Sequence, residues 1–182
     1  MFDNNERSYL TEIPDSCGYC QLKVDMDLKH IIRDENDNER KYTKKHIKKI
    51  IRLYMNICEE YLQEISLGDN ERLCFIFEKE KPSVIKKNDK WLLKDGIHIM
   101  WPFLILPWSF QLKIREYVYK KAENMLKDLN LFNTSSDVFD ISIVCRNNWL
   151  MYGSCKPGGI PYLLTKIYKI NNEKTIRIKD IH

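Results

Sequence analysis

No stretch of this sequence approaches the roughly 18 consecutive apolar residues that a membrane-spanning helix needs. Its first residues, Met1-Phe-Asp-Asn-Asn-Glu-Arg7, are polar and unlike a secretory leader. The expectation is a soluble, intracellular protein. An excess of one charge is also missing: 31% of the 182 residues are charged, yet the formal net charge is only +4. The summed field therefore argues for no particular partner, and a nucleic-acid surface has to come from local clustering. Internal repeats and low-complexity tracts are absent, which sets aside repeat arrays. Six cysteines are present, but they fall in or beside strand and helix patterns, so they read as thiols in a reducing compartment rather than a disulfide framework. Cys17-x-x-Cys20 has the spacing of half a zinc site. The histidines, scattered at positions 30, 46, 98 and 182, supply no second half. No zinc is expected.

What is present starts with Cys20-Gln-Leu-Lys-Val-Asp25-Met-Asp27-Leu-Lys-His30. Apolar residues at 20, 22, 24, 26 and 28 alternate with polar ones, the period of a strand. Asp25 and Asp27 then share the opposite face, roughly 6 to 7 Å apart. Two carboxylates at that distance repel each other unless a cation sits between them. The bland alternative is an edge strand with two solvated acids.

The chain is the size of one domain with a substantial core. After the strand, residues 33–40 are polar throughout and read as a solvated loop. Thr43 caps a helix with Ile47, Ile50, Ile51, Tyr54, Cys58, Tyr61, Leu62 and Ile65 inward, and Lys44, Lys45, Lys48, Lys49 and Arg52 outward. That basic face is either ordinary solvation or a contact for a nucleic-acid backbone. A strand over 72–78 follows, then a lysine-rich loop over 82–90. Residues 91–102 form a strand broken near Gly96 and ended by Pro102. Pro107 opens a second helix with Phe110, Ile114, Tyr117, Val118, Met125 and Leu129 inward and Lys113, Arg115, Lys120, Lys121 and Lys127 outward. Strands are expected at 138–145, 149–152, 162–170 and 175–181, with turns at Gly158-Gly159 and Asn171-Asn172. This order predicts an α+β fold, a sheet with helices packed on one face.

Three segments carry polar groups that folding does not require. Beside Asp25 and Asp27 stand Lys94-Asp-Gly96-Ile-His98, where His98 points off the apolar face and Gly96 lacks a side chain, and Phe139-Asp140, an acid before a β-branched run. Downstream, Tyr152-Gly-Ser154-Cys-Lys156 sets a lysine after a small Gly-Ser step. Each has a plain alternative: a satisfied strand histidine, a capping aspartate. Together, three acids on neighbouring strands can hold two Mg²⁺ or Mn²⁺ ions, and His98, Lys94 and Lys156 can neutralise a triphosphate. That is equipment for nucleotidyl transfer.

Val-Asp25-Met-Asp27, Lys-Asp-Gly96-Ile-His98 and Phe-Asp140, in that order, resemble the three motifs of the archaeo-eukaryotic primase superfamily. With Asn148-Trp-Leu-Met-Tyr152-Gly-Ser154-Cys-Lys156-Pro157 and Pro161-Tyr162-Leu-Leu-Thr165, the likeness is to the primase or primase-polymerase part of the primase-helicases of large nucleo-cytoplasmic DNA viruses, over about residues 19–168. The resemblance implies a palm-like, mostly antiparallel sheet. It also implies that Asp25, Asp27 and Asp140 bind two catalytic Mg²⁺ or Mn²⁺ ions, with Lys94, Gly96, His98, Arg146, Ser154 and Lys156 on the incoming nucleotide. Residues 1–182 then form one catalytic domain, the N-terminal part of a longer primase-helicase, acting on single-stranded DNA and nucleoside triphosphates at a cytoplasmic viral replication site. The chain departs from the pattern in places. Gly96 stands where many relatives have serine. Asn147 and Leu150 stand where some carry arginine, leaving Arg146 as the stand-in. No zinc module and no helicase are present. Two rivals remain: a two-metal nuclease, which has no use for a triphosphate-binding His/Lys set, and a non-catalytic single-stranded DNA-binding module of a helicase.

Overall fold

A computed structural model of the chain describes residues 10–12, 17–62, 66–145, 148–150, 152–171 and 174–180. In chain order the elements are β1 (Thr11–Glu12), β2 (Tyr19–Ile32), α1 (Lys44–Tyr61), β3 (Leu73–Lys79), β4 (Ser83–Lys87), β5 (Lys90–Pro107), α2 (Trp108–Leu126), α3 (Ser135–Val138), α4 (Ser142–Cys145), β6 (Trp149–Leu150), β7 (Tyr162–Asn171) and β8 (Lys174–Asp180), with a 3-10 turn at Lys127–Leu129 after α2. Ile65, Arg146, Asn147, Met151, Asn172 and Ile181, which the sequence reading assigns to elements or to the site, lie outside the described residues.

The main sheet runs β2-β5-β3-β7-β8, with β4 beside the first part of β5, and every pairing is antiparallel. This is the predicted α+β arrangement. Period-two alternation sends Leu22, Val24, Met26 and Leu28 of β2 to one face, with Ile97, Ile99 and Trp101 of β5 and Cys74 and Ile76 of β3. Ile47, Ile50, Ile51, Tyr54 and Cys58 of α1 and Ile114, Val118 and Ala122 of α2 cover that face and complete the core. Each large apolar side chain buried there contributes about 1.5–3 kcal/mol, so Ile76→Ala is expected to cost several times a surface change. The helix start is fixed locally: the Thr43 N–H donates to His46 Nδ1 at 3.0 Å, and the other ring nitrogen lies 3.1 Å from Asp128. The histidine does here what an acid does in a capping box.

Several expectations are corrected. Residues 83–87 are a strand, not loop, because Asn88 and Asp89 take φ of 49° and 58° and close a two-residue hairpin onto β5. β5 neither breaks at Gly96 nor ends at Pro102. Opposite β2 the register jumps from Leu22↔Trp101 to Gln21↔Ile105, so Pro102 sits in a bulge, where its missing N–H costs no ladder bond. The strand expected over 138–145 is replaced by the end of α3, a bridge at Phe139 and the turn of α4, because Thr134 and Asp140 offer side-chain oxygens to the N–H groups that follow them. On α2 the buried face is Gln111, Ile114, Val118, Ala122 and Leu126; Tyr117 is exposed, and Arg115, expected outward, donates to Phe139 O at 2.7 Å. The polar 33–40 segment ends in an anchor, since Arg40 Nε lies 2.8 Å from the buried Asp95 carboxylate.

Candidate active site

The same alternation that fills the core turns Asp25, Asp27, Lys94, Gly96 and His98 to the other face of the sheet. Register does the rest: Asp25 lies opposite His98, and Asp27 opposite Gly96, on adjacent strands. Asp140 arrives from outside the sheet. Phe139 bridges Met26, the Asp140 N–H donates to Asp25 O at 2.9 Å, and Arg115 ties down the carbonyls of Phe139 and Ser136. Asn133 pins the neighbouring backbone by donating to Asp27 O at 2.7 Å. Between these groups lies a cleft of about 610 Å³ whose walls include Asp25, Asp27, Asp140, Lys94, His98 and Lys156.

Six of the expected site residues thus meet in one place. Gly96 lies on the same face, though not as an open floor: a Cβ added there would land on the Tyr162 hydroxyl, with Tyr162 Cζ at 3.2 Å. A missing side chain beside a histidine suggests room for a bulky anion to approach the backbone, but here the space that glycine leaves is filled by tyrosine. Ser154 is buried and is not among the lining residues. Arg146 lies outside the described residues.

Asp25 is the least satisfied of the three cleft acids. Its Oδ1 is buried without a hydrogen-bond partner, and His98 Nε2, at 3.6 Å, is too far to supply one. Burial, then the charges of Asp27 and Asp140, push its carboxyl up to about 7. Asp27 has Lys94 Nζ 3.6 Å away. Asp140 is differently occupied: Ser142 donates its N–H to Oδ1 at 2.9 Å and its hydroxyl at 2.7 Å. The capping role is therefore real, and it coexists with a place in the cleft. Among the described residues no three His, Cys, Asp or Glu side chains are grouped closely enough to grip an ion together. The feature that a divalent cation would answer is the unpartnered oxygen of Asp25, on which the charges of Asp27 and Asp140 also bear.

His98 is enclosed by aromatic rings. Tyr162 stacks on it at 3.6 Å between centroids and 17° between planes, and Trp149 leans on it at 4.4 Å. Burial, then Lys79 and Lys156, lower its pKa to about 3. It is neutral at physiological pH, so its ring can offer a hydrogen bond, and the lysines lining the cleft are Lys79, Lys94 and Lys156.

Several lining residues escape the sequence reading. Lys79 reaches the cleft, with its Nζ 5.0 Å from the Tyr162 ring centre; burial and then Lys94 lower its pKa. Strand parity carries the signal, because Phe77 pairs with His98 and Lys79 follows two residues later on the same face. Tyr162 pairs with Lys79 across β3 and β7, a relationship over long sequence separation that no local pattern reveals. Thr11 and Asn148 come together because β1 pairs with β6, and Asn148 Nδ2 donates to Thr11 Oγ1 at 3.2 Å. That ribbon forms part of the cleft wall, and Lys23 braces it from below through Glu12 at 2.9 Å and the Trp149 ring at 5.7 Å.

Comparison with known proteins finds a match over residues 1–168 to a family described as the C962R protein N-terminal AEP domain. Two viral proteins are similar along nearly the whole chain. One, named Putative helicase L207/L206, from Acanthamoeba polyphaga mimivirus, is 27% identical over 171 residues, covering 92% of this chain and 17% of that protein. The other, named Putative helicase 184R, from Invertebrate iridescent virus 6, is 29% identical over 189 residues, covering 94% and 19%. The chain spans less than a fifth of the length of either relative.

Proposed function

The chain belongs to the C962R-type family of archaeo-eukaryotic primase domains found in viral primase-helicases, and from that premise we propose that it makes primers on single-stranded DNA by joining nucleotides. The observation that carries this reading is the meeting of Asp25, Asp27, Asp140, Lys94, His98 and Lys156 in one cleft. Asp25, Asp27 and Asp140 are the residues that would hold two Mg²⁺ or Mn²⁺ ions. Divalent ions in such a site supply positive charge that favours ionisation of an attacking hydroxyl and stabilises departing pyrophosphate.

The protein's own groups account for the remainder. Lys94, Lys156 and Lys79 draw the triphosphate into the cleft and offset its charge. His98, stacked on Tyr162 with Trp149 leaning on it, donates a hydrogen bond without adding a cation. Lys94 also offsets Asp27, which keeps two adjacent acids tolerable before substrate arrives. The helicase names of the relatives support a helicase in the same polypeptide and a viral replication site as the setting. No helix among the described residues is long and apolar enough to cross a membrane.

The test is incubation with single-stranded DNA, labelled ribo- and deoxynucleoside triphosphates, and Mg²⁺ or Mn²⁺, beside an Asp25→Asn/Asp27→Asn variant. New oligonucleotides and released pyrophosphate from the parent alone support the reading. Degradation of DNA without nucleotides would replace it with the nuclease, and DNA binding with neither reaction would replace it with the binding module.

A further inference from the structure

The outer face of α1 carries Lys44, Lys45, Lys48, Lys49 and Arg52, and among the described residues these five side chains line a groove of about 370 Å³. We propose that this groove is a second nucleic-acid site, which grips a phosphate backbone on the side of the sheet opposite the cleft.

The cations stand where helix stability argues against them. Lys44 and Lys45 occupy the first turn, which has no acid at all, although the helix dipole is positive there and favours carboxylates. Lys44 and Lys48, Lys45 and Lys49, and Lys48 and Arg52 are like charges four residues apart, each pair repelling. Two rows of cations result, with about 6 Å between successive members and about 12 Å in total along the axis. A row of that length suits a linear polyanion better than a single small anion.

Neighbouring acids do not quench the groove. Among the described residues none of the four lysines has an ion-pair partner within 4 Å, and Asp128, the carboxylate that senses Lys49, is already held by His46. Arg52 and Lys48 are fixed rather than loose: Arg52 Nε donates to Thr175 Oγ1 at 2.7 Å, and Lys48 Nζ lies 5.8 Å from the Tyr168 ring centre. The groove is thus braced against β7 and β8 while Lys44, Lys45 and Lys49 stay exposed. Because α1 packs on the core face of the sheet, nothing bound there touches Asp25 or His98. The choice of nucleic acid among polyanions rests on the reading of the cleft; the existence of the groove does not.

The experiment uses the whole chain, with a Lys44→Gln/Lys45→Gln/Lys48→Gln/Lys49→Gln variant and fluorescent oligo(dT), a DNA duplex of equal length, and phosphatidylserine vesicles as probes. Anisotropy is measured between about 50 and 200 mM salt without nucleotide or divalent metal. Single strands lose affinity with a slope of about −0.7 per phosphate contacted. The variant is therefore expected to show a slope shallower by about 3 and at least tenfold weaker binding near 0.1 M salt, with its thermal midpoint unchanged or raised by relief of repulsion. Mn²⁺ binding in the cleft, followed by electron paramagnetic resonance, stays as in the parent. Preference for oligo(dT) or for duplex assigns the strand form, and either supports the site. Unchanged DNA affinity and slope in the variant overturn it, as does loss of vesicle binding alone. Synthesis failing in both proteins while the slopes still differ would remove the cleft reading and leave the groove.

Discussion

Asp25 Oδ1 and His98 Nε2 face each other across two adjacent strands at 3.6 Å, near enough to share an environment and too far to share a proton. Each is burdened by burial in the opposite sense. The aspartate resists ionising and the histidine resists protonation, so at neutral pH the pair tends toward neutrality on both sides.

For Asp25 the sign of the pH dependence follows from its pKa, raised from 3.8 to about 7. Well below its ordinary value of 3.8 the carboxyl is protonated in folded and unfolded chains alike. As pH rises towards 7 the unfolded chain gives up that proton first, so folding stability falls across this window and stays low above it. Asp25→Asn removes the cost. It is expected to stabilise the fold by up to about 4 kcal/mol at pH 8 and by less than about 1 kcal/mol at pH 4. Thermal melts at both pH values, in chelator, check this; a variant that melts lower than the parent at pH 8 would contradict it.

Metal affinity should carry the same signature. An ion entering beside Asp25 has to displace its proton below about pH 7, so Mn²⁺ affinity of the parent is expected to rise up to about tenfold per pH unit towards neutrality and level off above it. Titration calorimetry from pH 5.5 to 8.5 reads this directly. A flat profile would detach Asp25 from any bound ion.

His98 is expected to stay neutral down to about pH 3. Its pKa is depressed, so the stability tied to it is present above the ordinary histidine value of about 6.5 and is lost as pH falls towards 3. In NMR its ring nitrogens should show no protonation between pH 8 and 4, so that the Cε1 proton of the Asp25→Asn variant, which lacks the neighbouring acid, should hold one chemical shift. Trp149→Ala, by admitting water to one face of the ring, should bring a titration back into that range. A native His98 that titrates near 6.5 would restore the cationic role that the sequence suggests.

Much of this site was legible because strand parity is local. The alternation around Asp25 and Asp27 and around His98 put the acids and the histidine on faces that the register then joined. Asp140 was found as a residue but misassigned in structure, since Ile141 and Ile143 look β-branched while the Asp140 and Ser142 side chains close a helical turn. Tyr162 and Lys79 were out of reach for a different reason. Their roles depend on which strand pairs with which, and β3 meets β7 only after more than 80 intervening residues. The hairpin at Asn88-Asp89 was missed because Lys86, Lys87 and Lys90 hide Val84 and Ile85, although the two-residue turn itself is a strand signal.

Arg40 closes the polar loop onto a buried charge cluster, and its loss should be costly. The side chain of Asp95 is fully buried and that of Glu78 is 3% exposed. Glu78 keeps Tyr42, Thr165 and Lys166 as partners, whereas among the described residues the partner of Asp95 is Arg40. Arg40→Ala leaves an uncompensated carboxylate inside the protein and is expected to cost about 3 kcal/mol or more. Arg40→Ala combined with Asp95→Asn should recover part of that loss. Urea denaturation of the three proteins measures both, and a cost within 0.5 kcal/mol of zero, the range of an ordinary surface substitution, would show the cluster to be dispensable.

The last test concerns Gly96 and Tyr162. Any side chain at 96 meets the Tyr162 hydroxyl, and Tyr162 cannot yield freely because its ring is stacked on His98 and flanked by Lys79. Gly96→Ala should therefore cost about 1–3 kcal/mol through overpacking and displace the stack that holds His98. Tyr162→Phe removes the offending oxygen and leaves the ring, whose nearest carbon would lie 3.2 Å from the new methyl group, tight but negotiable. Combined, the two changes should cost less than the sum of the single ones, with a coupling of about 1 kcal/mol or more. The Cε1 shift of His98 should return towards its native value in the double variant. Strict additivity would mean that the glycine is required by the backbone rather than by the tyrosine, and would leave Tyr162 with no part in setting residue 96.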